Sequence, residues 1–87
     1  MSANYKLDGP VTLTEEQVRH LHEKLRAMRH DVNGHLANIV AAAELMRLRP
    51  ESAVQRLPLL LEQPHKAAES ITEFLREFEA LFGLKRE

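Results

Sequence analysis

The reactive chemistry this chain can offer rests on histidine, of which it holds five: His20, His22, His30, His35 and His65. Cysteine is absent, which removes thiol nucleophiles, disulfides and thiolate metal sites. His20 and His22 are two residues apart and cannot share a helix face, and there is no HExxH pair, so no metal site is expected. His65 follows Pro64 and reads as a surface residue. His30 stands in the most informative stretch, Arg29-His30-Asp31-Val32-Asn33-Gly34-His35-Leu36. A neutral imidazole carries a ring lone pair able to attack phosphorus, and a large fraction of histidine is neutral near pH 7. On a helix its neighbours lie three or four positions away: Arg26 before it, Asn33 and Gly34 after it. Arg26 would offset the charge of a phosphoryl group. Gly34 costs about 1 kcal/mol relative to alanine in mid-helix, a cost that implies a use. The same face runs on through Ala37 and Ala41. Arg26, Gly34, Ala37 and Ala41 are therefore read as a partner-docking strip beside His30; packing of another helix of the same protein is the competing reading of that strip.

These residues need a rigid element to hold them, and the apolar period supplies one. Val18, Leu21, Leu25, Met28, Val32, Ile39, Ala42 and Met46 occupy the a and d positions of a seven-residue repeat, with His35 a polar exception at d. In that phase His30 falls at f, opposite the seam, and should meet solvent. Thr14 followed by Gln17 is a capping-box signature, and Glu15 and Glu16 suit the positive end of the helix dipole. The first helix is expected over roughly residues 15–48, ended by Arg47, Arg49 and Pro50. A second helix is expected from about Glu51, with a seam of Val54, Leu57, Leu61, Ala68, Ile71, Leu75, Phe78 and Phe82 and a flanking column of Leu60, Ala67, Phe74 and Leu81. Pro58 and Pro64 should kink it without ending it, because the apolar phase crosses both. Gly83 is a natural stop. Residues 1–13 lack a period and read as a flexible N-terminal arm, leaving 14–87 as one helical domain.

A short connection makes the two helices antiparallel. A two-helix hairpin cannot cover the wide apolar stripe of the second helix, so the expected fold is all-α: a helical hairpin that pairs into a four-helix bundle as a homodimer. The net charge of −1 argues against nucleic-acid binding. No apolar run reaches the ~20 residues that span a bilayer, and no signal peptide is evident, so a cytoplasmic protein is the default expectation.

The segment from Arg29 to Leu36 resembles the phosphoacceptor box of sensor histidine kinases, whose dimerisation and histidine-phosphotransfer domain is also a helical hairpin that dimerises into a four-helix bundle. In that family an acidic residue follows the phosphorylated histidine and a leucine stands six positions on, as Asp31 and Leu36 do here. Asn33 matches the His-Asp-x-Asn variant. The resemblance implies that His30 is phosphorylated, that Asp31 is the base or electrostatic helper that activates it, and that Asn33 is a polar neighbour affecting transfer or dephosphorylation. It implies as partners a response-regulator receiver domain, whose aspartate and Mg²⁺ complete the reaction, and a separate ATP-binding kinase domain. The chain shows no nucleotide-binding boxes, so no autonomous kinase activity and no cofactor of its own are expected. Gly34 replaces the Thr or Asn that many members carry, which leaves a phosphatase role unimplied, and His35 replaces a common proline. The alternative is a non-catalytic helical dimerisation module that only binds partners.

Overall fold

The computed structural model describes the backbone of residues 5–6 and 9–86 and the side chains of residues 9–84. It is a two-helix hairpin: α1 covers Glu15–Leu48 and α2 covers Ala53–Phe82. A single 3₁₀ turn, Pro50–Ser52, joins them. A two-residue antiparallel pairing, β1 (Tyr5–Lys6) with β2 (Lys85–Arg86), lies outside the helices. The arm expected over 1–13 therefore has Tyr5–Lys6 paired to the other end of the chain; residues 1–4 and 7–8 lie outside the described residues.

The start of α1 follows from its first four residues. Thr14 Oγ1 accepts from the Gln17 amide at 3.1 Å, and the Gln17 side chain accepts from the Thr14 amide at 2.9 Å. Two otherwise orphaned donors are satisfied reciprocally, with Glu15 and Glu16 in the first turn. At the far end the Arg49 amide donates to Leu45 O and the extended backbone before Pro50 stops the helix. α2 begins two residues later than expected, because Pro50, Glu51 and Ser52 form the 3₁₀ turn first. It continues through both Pro58 and Pro64 as one helix and ends at Gly83, whose φ of 63° is the left-handed conformation glycine adopts without strain.

On α1 most of the expected seam faces α2: Leu21, Met28, Val32, His35, Ile39, Ala42 and Met46 are the more covered positions, whereas the expected seam residues Val18 and Leu25 are turned aside, 50% and 45% exposed. On α2 the structure corrects the seam. The residues facing α1 are Arg56, Leu60, Gln63, Ala67, Ser70, Phe74, Phe78 and Leu81. The column expected to flank the seam is the one that makes the contact. The main apolar stripe is turned aside, with Leu57, Leu61, Ile71 and Leu75 between 48% and 63% exposed. Phe74, Phe78 and Phe82 stack along one end of α2, with successive ring centroids 6.3 and 4.5 Å apart.

The two open sides of the hairpin differ in character. On one, Lys24 and Asp31 of α1 and Ser70, Glu73 and Glu77 of α2 border an interhelical groove of about 370 Å³. One residue along a helix turns a side chain by about 100°. Leu25, Ile71 and Leu75 therefore point to the opposite side, where the exposed Val18 and Leu36 join them. That side is apolar and uncovered. Only Ala42, Gln63 and Ala67 are buried among the described residues. The hairpin measures 58 × 29 × 14 Å, a single layer of helices.

Candidate functional site

The His30 side chain on α1 is exposed, as the heptad phase predicts, although it lies on the flank of the helix, where it also borders the interhelical groove. Among the described residues its ring makes no hydrogen bond or ion pair. Arg26, Asn33, Gly34, Ala37 and Ala41 are likewise exposed. α2 does not pack over the strip from Gly34 to Ala41, and a Cβ added at Gly34 meets no atom within 4 Å. The strip is thus open within the single chain. Arg26, Arg29, His30 and Asn33 come together around a shallow groove of about 270 Å³.

Asp31 borders the interhelical groove together with His30. Its carboxylate is engaged across the hairpin, where Asp31 Oδ2 accepts a hydrogen bond from Ser70 Oγ on α2. The same oxygen lies 3.6 Å from His35 Nε2, one turn along α1. Helical geometry makes this natural, since adjacent residues diverge by about 100° while residues four apart share a face.

His35 ties this carboxylate to Gln63, the one buried polar side chain among the described residues. Its Nδ1–H donates to Gln63 Oε1 at 2.7 Å, and Asn38 Nδ2 donates to the same oxygen at 3.1 Å. Gln63 is only 4% exposed. A buried amide oxygen needs donors, and here it has two. Because Gln63 Oε1 can only accept, the hydrogen sits on His35 Nδ1 and leaves Nε2 toward Asp31. His35 is therefore what its d position suggests, a covered polar residue that fixes how α2 sits against α1. Lys24 Nζ, 3.4 Å from Glu77 Oε1, makes a further link between the helices.

Gln63, Asn38 and Ser70 are not among the candidate residues of the sequence, and Arg29 stands there only as the start of the histidine segment. A signal for the first and third exists. If the chain folds back about Arg49–Pro50, residue numbers of facing partners sum to about 100. His35 then meets the region of Gln63, and Asp31 that of Ser70. Gln63 and Ser70 are also seven apart, polar members of the column that otherwise holds Leu60, Ala67 and Phe74.

Comparison with protein-family models, curated proteins and solved structures gives no match. Among the described residues no cluster of three or more His, Asp or Glu side chains is placed to hold a metal ion. No helix is long and apolar enough to cross a membrane, again among the described residues.

Proposed function

We propose that this chain is a dimeric histidine phosphotransfer domain of two-component signalling, in which His30 takes a phosphoryl group and passes it to a response-regulator aspartate. The observation that carries the reading is the exposure of His30 on a long hairpin, inside a segment whose Asp31, Asn33 and Leu36 have the spacing of the sensor-kinase phosphoacceptor box. A histidine that must meet a second protein's aspartate has to be reachable from solvent, and the His30 side chain is exposed. The open strip of Gly34, Ala37 and Ala41 lets another backbone approach beside it.

Phosphoryl transfer asks mainly for in-line positioning and charge stabilisation. A helix can position the imidazole. The receiver domain supplies the accepting aspartate and its Mg²⁺, and a separate ATP-binding kinase domain or a phosphorylated receiver loads the histidine. Asp31 borders the same groove as His30 and can take up charge or a proton from the ring once Ser70 releases it.

The uncovered apolar side supports a second copy as the covering surface. The chain exposes 7138 Å². A compact monomer of this mass would expose about 5,200 Å². The excess of about 1,900 Å² comfortably exceeds the ~800 Å² that each partner contributes to a standard interface. A single layer of two helices has no interior, and pairing two such layers about a two-fold axis makes a four-helix bundle with one.

The test uses receiver domains of the source organism, loaded with ³²P from labelled acetyl phosphate in the presence of Mg²⁺. Label should move to the wild-type chain from at least one receiver, and His30→Gln should abolish transfer while remaining dimeric. Undiminished labelling of His30→Gln would overturn the assignment of the residue. A wild-type dimer that takes label from none of them would favour the purely dimerising module.

A further inference from the structure

His30 borders two grooves of opposite character. The interhelical one carries Asp31, Glu73 and Glu77 against the single cation Lys24. The other is lined by Arg26, Arg29, His30 and Asn33, with no acid. Among the described residues neither Arg26 nor Arg29 forms an ion pair, whereas Arg19, Lys24, Arg47 and Lys66 each do. The acid closest in sequence, Asp31, is drawn to the far side by Ser70 and His35. Two guanidinium groups, neither in an ion pair among the described residues, and a neutral carboxamide thus flank one side of the imidazole.

We propose that Arg26, Arg29 and Asn33 form an oxyanion cradle that holds the phosphoryl oxygens on one side of His30, while the acidic groove faces the ring's other nitrogen. This rests on the reading of His30 as the phosphoacceptor and deepens it by naming the groups that receive the anion and the side from which it arrives. The residue types suit the task. Guanidinium presents several N–H donors in a planar fork that matches phosphoryl oxygens, and it stays charged at all relevant pH. The Asn33 amide adds a donor one turn along the same face. Arg29 precedes His30 directly and reaches the groove from the adjoining face, so the two arginines approach the anion from different directions.

Phosphoramidate, a small donor, isolates the step. The lone pair of a neutral His30 nitrogen attacks phosphorus and forms a new N–P bond. The donor's P–N bond breaks, and its electron pair leaves on ammonia. The proton on the ring's other nitrogen departs through the acidic groove to solvent, and ammonia is released as ammonium. The phosphoryl group gains no charge and loses none; its oxygens exchange water for the cradle.

The experiment treats the full chain with potassium phosphoramidate and follows each histidine by mass spectrometry. His20, His22 and His65 are exposed and serve as internal references for uncradled imidazoles. His30 should label at least about tenfold faster than these, and Arg29→Gln or Arg26→Gln should each slow it severalfold to tenfold, the worth of a lost charge-assisted hydrogen bond. The double variant should bring it to the reference rate, Arg29→Lys should recover part of the loss, and the three reference rates should not move. Circular dichroism confirms that the helices persist. Selective His30 labelling that is indifferent to both arginines would overturn the cradle. So would His30 labelling no faster than the references. Failure of the underlying reading shows elsewhere, as absence of transfer from every phosphorylated receiver, whatever the phosphoramidate result.

Discussion

At His30 the imidazole stands between a basic pair and an acidic groove, bordered by Arg29 and Asp31 next to it in sequence, by Arg26 and Asn33 a turn away along α1, and by Ser70, Glu73 and Glu77 across on α2. The heptad phase alone placed His30 outside and His35 inside, because f and d point in fixed directions once the seam is known. The route of the Asp31 carboxylate was not legible. The family resemblance, and not helix geometry, pairs Asp31 with His30; Ser70 and His35 claim the carboxylate, and Ser70 declares itself only once the antiparallel register is known. The buried amide of Gln63 was hidden for the same reason. Gln63→Leu should destabilise the protein by about 1–3 kcal/mol, because the His35 N–H then has no acceptor at a covered site. Adding His35→Leu should recover much of that loss, since two apolar groups leave nothing unsatisfied there. Urea denaturation at fixed protein concentration measures both.

Among the elements, α1 was legible from end to end, because Thr14, Gln17 and Pro50 mark its limits by hydrogen bonding and sterics rather than by average preference. α2 was legible as a helix but not in its facing. Two apolar columns run side by side along it in the same seven-residue phase, and periodicity cannot say which meets α1. The column with Gln63 and Ser70 faces α1 because His35 and Asp31 need partners there, and that choice turns Leu61, Ile71 and Leu75 outward. Gly34 in mid-α1 offers a separate test. A methyl group there meets nothing, so Gly34→Ala should raise stability by roughly 1 kcal/mol in thermal or urea melts. The same substitution should slow transfer from a receiver if the bare strip is the docking surface. On α2, Lys66 holds the exposed Glu62 carboxyl below its usual range through a hydrogen bond and its charge, and Glu62 raises Lys66 in turn. The lowered Glu62 pKa contributes stability above the ordinary carboxylate value and loses it as pH falls through the folded value. The raised Lys66 pKa contributes below the ordinary lysine value and loses it as pH rises through the folded value. The melting difference between wild type and Glu62→Gln should be small, as befits an exposed pair, largest on the plateau between those limits, and absent in acid.

On the scale of the whole molecule, the hairpin is one layer thick and leaves a long apolar side without cover. The width of the α2 stripe already pointed to a partner surface; the structure adds that the uncovered side includes Val18, Leu25 and Leu36 of α1 as well. Both helices would therefore contribute to a two-fold interface. Sedimentation equilibrium should give a dimer at micromolar concentration, and the melting temperature should rise with protein concentration, as mass action requires. Ile71→Glu with Leu75→Glu should produce a monomer that melts at lower temperature, because it places charges on the uncovered apolar face that a second copy would cover. A wild-type chain that stays monomeric with a concentration-independent melt would remove the four-helix bundle from the account.

If His30 carries phosphate, the most direct test is to find the phosphate there. After incubation of the wild-type chain with a phosphorylated receiver domain, tandem mass spectrometry under neutral, cool conditions should place the phosphoryl group on His30, with His20, His22, His35 and His65 unmodified. Phosphate distributed over the exposed histidines without preference, or located on any residue other than His30, would contradict the proposal.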